Sequence, residues 1–387
     1  DSENYELTTD EEGNVIVKST ISIYEWEGAG ADANWSTGDN WNIGEAPTEN
    51  AEFDFNGEGD ETIYDLGALT FGKMTVGSGT WKATLVEGGL LFTGAPLDLA
   101  SGATFALDGA EGKSNPFSTA DGAVSIAGVL DLGGAKQTLA GGVQNNSGIF
   151  RNGGEVRHGE IEVDPSSWLN LNGITDFTVG EGANVYFKKY TTNTAPTRNR
   201  GQLNLQNSYL RISGKDAKFA VMNERETQKD TPYNSYGRIG STDGDATVEI
   251  IAGGMFSHEK RCLILGFETH QGAIVGDGGT VTLGSQDLYL SYSKGAAAML
   301  ALTNSSLTAN FINLGWSKQT PGKQTIEFVG GTTVNVAGFK KNAVHAESSI
   351  LFDDATLVPT AAGNLLPNLG VPTTIGVNGL VVSNDFD

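Results

Sequence analysis

Between positions 250 and 357 the apolar residues fall in short alternating runs. Val248-Glu249-Ile250-Ile251, Thr280-Val281-Thr282-Leu283, Leu300-Ala301-Leu302-Thr303, Thr325-Ile326-Glu327-Phe328-Val329 and Thr333-Val334-Asn335-Val336 alternate apolar with polar or small positions. A period of two predicts a strand with one buried face. Gly, Asn, Asp and Ser separate the runs, and those residues supply turn chemistry.

The runs recur at a fixed spacing. Leu263-Ile264-Leu265-Gly266-Phe267 is answered by Leu288-Tyr289-Leu290-Ser291-Tyr292 and by Phe311-Ile312-Asn313-Leu314-Gly315-Trp316, so that Leu265, Leu290 and Leu314 stand 25 and 24 positions apart. A second marker keeps phase: Gly253-Gly254-Met255, Gly278-Gly279-Thr280, Asn304-Ser305-Ser306 and Gly330-Gly331-Thr332 start 25, 26 and 26 apart. Self-similarity at such a period is the signature of a stacked repeat. A single repeat of about three short strands cannot bury its apolar face alone, whereas coils stacked about 4.8 Å apart share one core. The predicted fold is therefore all-β, a right-handed parallel β-helix, with Leu265, Leu290 and Leu314 in one inward file. Phe267, Tyr292 and Trp316 form either a second packed file or an exposed stripe suited to sugar stacking. Sandwiches and propellers also use short strands, but a period of about 25 is too short for a propeller blade.

Residues 1–23 read as a hairpin, with Tyr5-Glu6-Leu7-Thr8 and Val15-Ile16-Val17-Lys18 joined through a turn containing Gly13. Residues 24–61 form a Trp-rich segment. Trp26, Asn34-Trp35-Ser36, Asn40-Trp41, Pro47 and Ala51-Glu52-Phe53-Asp54-Phe55 place three of the six tryptophans within 16 positions. The open end of a solenoid exposes core and strand edge, so Trp26, Trp35 and Trp41 are expected to cap it, or else to form an aromatic sugar platform. This W…NWS…NW…P…A-x-F order resembles the N-terminal unit of bacterial surface proteins with autotransporter-associated β-strand repeats. The downstream rhythm of L-x-L-G followed by G-G-T-x-x-V, from about residue 24 to 358, resembles those repeats as well. The resemblance implies a secreted, Gly-rich, passenger-type parallel β-helix at the outer surface of a bacterium, although no membrane-barrel segments follow at the C-terminal end.

Asp54, Asn56, Glu58 and Asp60, with Asp65 at the twelfth position, approximate a Ca²⁺ loop. Glu at the fifth place and Asp at the twelfth depart from the usual ligands, and an acidic turn between strands is the competing reading. Over 62–358 the solenoid continues through Leu97-Asp98-Leu99, Val129-Leu130-Asp131-Leu132 and Trp168-Leu169-Asn170-Leu171, with two polar, charged insertions near 188–201 and 223–237. Long loops inside a compact repeat are commonly functional. Lys188, Lys189, Tyr190, Arg198, Arg200, Arg225, Tyr233 and Tyr236 are accordingly the candidate partner-binding set, and surface decoration is the alternative. The tail, 359–387, is punctuated by Pro359, Pro367 and Pro372 and reads as extended segments that close the end or dock on another copy.

Composition narrows the function. The net charge is −23, from 47 acidic and 24 basic residues, which argues against nucleic acid and anionic membranes. It suits a self-repelling surface protein or a cation binder. Gly, at 53 of 387 residues, is about twice the usual share. The lone Cys262 cannot form an internal disulfide and is expected to be a buried thiol. No apolar run is long enough for a spanning helix, and a first residue other than Met suggests a removed leader.

Candidate chemistry is sparse. The carboxylate pairs Asp353/Asp354, Glu224/Glu226 and Asp243/Asp245 do not read as the convergent pair a glycosidase needs, since neighbours on a strand point apart and Asp243-Gly244-Asp245 reads as a turn. His158, His258, His270 and His345 are dispersed. The expectation is a non-enzymatic, secreted β-solenoid rod without a cofactor, acting as an adhesin, matrix component or filament subunit. Its partners would be copies of itself or an extracellular glycan or host surface. A polysaccharide lyase, a glycoside hydrolase and a lectin-like glycan binder are the alternatives.

Overall fold

The computed structural model describes residues 5–9, 12–19, 23–47, 51–57, 60–66, 69–70, 73–85, 92–93, 97–114, 117–118, 124–139, 150–163, 169–187, 203–221, 236–259, 262–293, 295–316 and 321–383. The protein is all-β, with parallel strands stacked as a β-solenoid. It divides into two compact units, 1–137 and 138–387.

The first unit opens on the predicted hairpin, Tyr5–Thr9 antiparallel to Val15–Ser19. Three parallel ladders follow. One carries Ile23–Glu25, Glu52–Phe55, Lys73–Val76, Leu97–Leu99 and Val124–Ile126 in sequence order. A second carries Asp60–Leu66, Thr80–Leu85, Thr104–Asp108 and Val129–Asp131. The third is short: Leu69–Thr70, Phe92–Thr93 and Phe117–Ser118. The Leu97-Asp98-Leu99 triplet buries both leucines and turns the aspartate outward, as the alternation requires.

The Trp-rich segment closes the start of this unit. Trp41 meets Tyr24, Trp26, Trp35, Phe53 and Phe55 at ring centroid distances of 4.8–6.0 Å, mostly edge to face. Its indole Nε1 donates to the Trp35 carbonyl at 2.9 Å. The asparagines of the motif fasten the loop that carries the rings. Buried Asn40 donates through Nδ2 to the carbonyls of Asp32 and Asn34 and accepts the Gly30 amide on Oδ1. The Thr37 hydroxyl and the Asn34 amide both donate to Asp32, holding its carboxyl below the usual carboxylate range. All three tryptophans are buried, so their rings pack on one another and on the core and leave little surface to solvent.

In the second unit each coil has three sides. Side one includes Ser208–Ser213, Ala246–Ile251, Gly272–Asp277 and Ala298–Thr303. Side two includes Ala183–Phe187, Lys218–Val221, Met255–His258 and Thr280–Thr282. Side three includes Leu203–Gln206, Gly237–Ile239, Leu263–Leu265 and Leu288–Leu290. The predicted inward file is present: Leu265 pairs with Leu290 and Leu290 with Leu314, all fully buried. The same file reaches back through Ile239 to Leu205.

The in-phase glycines mark the corner between sides one and two. Gly253, Gly278, Asn304 and Gly330 all have positive φ, from 47° to 89°, which Gly and Asn tolerate best. Ser305 and Thr332 turn their hydroxyls onto the carbonyls of Thr303 and Val329, 2.6 Å away in both cases, so these buried polar groups are satisfied.

One detail differs from the sequence reading. The runs at 325–329 and 333–336 are not separate strands: one strand, Gln324–Lys341, continues round the Gly330-Gly331 corner, where the register with the next strand shifts between Val329 and Thr332, and pairs along all three sides. In the tail, the irregular stretch after residue 359 gives way to Thr373–Ile375 and Leu380–Val382. These rejoin the stack parallel to Ser349–Pro359, because short extended segments can pair even where the sequence repeat has faded.

Candidate functional site

The outer face of side three brings together a group of aromatic and polar side chains. Alternation that sends Leu263, Leu265, Leu288 and Leu290 inward sends their neighbours outward. Register then aligns Asn204, Arg238, Ile264, Tyr289, Asn313 and Lys340 in one outer row. Beyond the strand ends, the chain turns through Gly266, Ser291 and Gly315, with φ of 75°, 68° and 77°. One residue further on stand Phe267, Tyr292 and Trp316.

Those three rings stack as a file, with centroids 4.9 and 4.8 Å apart and planes tilted by 32° and 37°. They are half-buried. The Arg238 guanidinium lies 4.1 Å from the Phe267 centroid, a cation–π contact of about 0.5–2 kcal/mol. Burial pushes the Arg238 guanidinium below its ordinary pKa, while Tyr292, Glu268 and Tyr236 act in the opposite sense. Two further rings extend the file: Tyr289 packs on Trp316 at 4.4 Å and Tyr236 meets Trp316 at 5.3 Å.

An open cleft of about 390 Å³ lies beside Trp316. Tyr236, Tyr289 and Trp316 form its aromatic side, and Gln286, Asp287 and Asn310 its polar side. The Asp287 carboxylate is held by Asn310 Nδ2 at 2.8 Å and by Asn313 Nδ2 and the Tyr289 hydroxyl at 3.3 Å each. Cys262 and Asp287 hold equivalent places in successive coils, each one residue before a side-three strand, and both line the cleft. Cys262 is partly exposed, so the expected buried thiol is corrected: the residue falls where the strand begins, outside the inward alternation.

Burial, and then the neighbouring Asp287 charge, push the Tyr289 hydroxyl up to about 12. Because the folded value lies above the unfolded value of about 10, the protonated phenol favours the folded state. That contribution is complete below pH 10 and is lost as pH rises through the folded pKa near 12. The wild type should therefore lose stability between those limits in denaturation measured at stepped alkaline pH. Tyr289→Phe should flatten that loss, and an unchanged alkaline limb would contradict the assignment.

Of the loop set, Lys188, Lys189, Tyr190, Arg198, Arg200, Arg225 and Tyr233 lie outside the described residues. Tyr236 is described, and the fold brings it onto Tyr292 and Trp316. The proposed Ca²⁺ loop is not a single loop: Asp54 belongs to Glu52–Phe55, Asn56 follows it, and Asp60 and Asp65 belong to Asp60–Leu66, while Glu58 lies outside the described residues. Among the described residues no three His, Cys, Asp or Glu side chains cluster as a metal site. His270 Nδ1 approaches Asp245 at 3.6 Å, and His258 is buried on side two. Asp243-Gly244-Asp245 is the predicted turn, closed by a Ser241–Gly244 bridge.

Arg238, Asp287, Tyr289, Asn310 and Asn313 escaped the sequence reading. The repeat itself held the signal, since Asp287 directly precedes a Leu-x-Leu strand as Cys262 does.

Fold and cleft together define a parallel β-solenoid with an aromatic and polar groove on one outer side. Against known protein families, curated proteins and solved structures, the chain has no match. No helix among the described residues is long and apolar enough to cross a membrane.

Proposed function

We propose that this is a secreted, non-enzymatic bacterial surface or extracellular structural protein, with the β-solenoid itself as the working scaffold. The observation that carries this reading is the in-register stack. In residues 138–387, equivalent positions pair coil after coil, and such architectures gain stability from each neighbouring repeat. The likeness of the Trp26–Trp41 motif and the L-x-L-G rhythm to autotransporter-associated repeats supports a bacterial exterior. The net charge of −23 favours a soluble, self-repelling surface.

Adhesin, matrix component and filament subunit all fit this scaffold. Head-to-tail association of copies draws support from the last-paired strands, Thr373–Ile375 and Leu380–Val382, around which Ile375, Val377 and Val381 are 59%, 98% and 61% exposed. Strand edges with apolar neighbours are templates for pairing.

Protease treatment of intact producing cells should remove the protein, and full protection would end the surface reading. Sedimentation of the purified chain should show larger species as concentration rises. Ile375→Lys combined with Val381→Lys should abolish them without changing the melt, as exposed substitutions cost within about 0.5 kcal/mol. A monomer at every concentration would remove self-association. New reducing or unsaturated ends in a polysaccharide incubated with the protein would remove the non-enzymatic reading.

A further inference from the structure

We infer that the cleft on the outer face of side three is a binding site for a neutral oligosaccharide. This goes beyond the scaffold reading and does not depend on it. The cleft, of about 390 Å³, falls in the range of small-molecule sites, roughly 300–1,000 Å³. Its lining combines two kinds of side chain. Tyr236, Tyr289 and Trp316 offer rigid aromatic surface with a polar tip on each ring, which costs little side-chain entropy to order. Beside them, in contact through the Tyr289 hydroxyl, Asp287 offers acceptor oxygens, and Gln286 and Asn310 carry both amide donors and carbonyl acceptors. A sugar matches that division, since its ring has an apolar C–H surface and its rim carries hydroxyls that both donate and accept.

The same features select against other ligands. An acidic sugar would bring its carboxylate towards Asp287 on a chain of net charge −23, and like charges brought together are costly. An organic cation would have to compete for the Asp287 carboxylate with the Asn310 and Asn313 amides and the Tyr289 hydroxyl, which already occupy it. The polar wall is also held in place before any ligand arrives. Asp287 is anchored by Asn310, Asn313 and Tyr289, so little ordering cost remains at binding.

The site is composite, because its parts come from separate coils. Tyr236 precedes Gly237–Ile239, Asp287 precedes Leu288–Leu290, and Trp316 follows Leu314. A glycan chain would therefore be read across several turns of the stack.

The test is calorimetric titration of the full 387-residue chain with maltohexaose, cellohexaose, xylohexaose and chitohexaose, and with trigalacturonate as the acidic probe. At least one neutral probe should bind and outbind trigalacturonate. Asp287→Asn and Trp316→Ala should each weaken that binding tenfold or more, and Asp287→Asn should stay folded with a melt lowered only by its weakened bonds to Asn310, Asn313 and Tyr289. Asn378→Ala, remote from the cleft in sequence and pairing, should bind as wild type. Silence towards all four neutral probes, tighter trigalacturonate binding, or neutral binding that survives both cleft substitutions would overturn the inference. Cleavage of a bound probe would leave the cleft assignment standing while removing the non-enzymatic reading, so the two failures are distinguishable.

Discussion

Trp41→Ala is expected to destabilise residues 1–137 by about 3–5 kcal/mol, the range for truncating a buried large aromatic. Trp41 is the hub of the cap, only 1% exposed and in ring contact with Tyr24, Trp26, Trp35, Phe53 and Phe55. Its removal leaves a void among five rings that cannot all close on it. It also deletes the indole bond to the Trp35 carbonyl, worth about 1 kcal/mol net. The loop would still hold its Asn40 bonds, and only Trp35 would still tie it to Phe53 and Phe55. Denaturant unfolding followed by tryptophan fluorescence would measure the loss, and Trp41→Phe should cost distinctly less because much of the volume stays. A loss below about 1 kcal/mol for the alanine variant would mean that the cap is peripheral to folding.

A second large effect is expected at a corner. Gly266 and Gly278 have similar φ, 75° and 71°, so asparagine would meet the same backbone preference at both. Their surroundings are opposite. A Cβ at Gly266 would sit 2.0 Å from the Ala297 carbonyl oxygen and 3.1 Å from that of His270, whereas at Gly278 the nearest atom is 3.9 Å away. Both obstructing atoms at Gly266 are backbone, so the corner itself must move. That movement strains the bonds from the Gly266 amide to Ile239 and from the Tyr292 amide to Gly266. Overpacking costs roughly 1–3 kcal/mol, with about 1 kcal/mol more for each corner bond lost. Gly266→Asn should therefore be strongly destabilising. Gly278→Asn should stay within about 0.5 kcal/mol, as Asn304 already serves at the equivalent corner with φ of 47°. Equal melts for the two variants would refute the steric account.

Much of the fold was legible because a stacked repeat writes its three-dimensional neighbours into one dimension. Leu265, Leu290 and Leu314 recur at the coil length, and they pair and bury together. The corner glycines were readable for the same reason. The Trp cluster was readable as a cap because its composition is unlike any later coil. The site was far less legible. The aromatic file could be located but not assigned to packing or display, since a spacing tells which residues align and not how ring faces are used. Asp287 and Asn310 look like ordinary turn residues until register sets one coil above another.

The sequence by itself determined the coil period, the inward leucine file and the places where the chain must turn, because strand alternation and positive-φ corners are properties of local residue type. Only the tertiary structure decided that Tyr236 meets Trp316, that Asp287 is gripped from the next coil, and that one Gly corner is crowded while another is open. Those outcomes depend on contacts between coils, where loop path and ring tilt, which leave no trace in residue order, set what touches what.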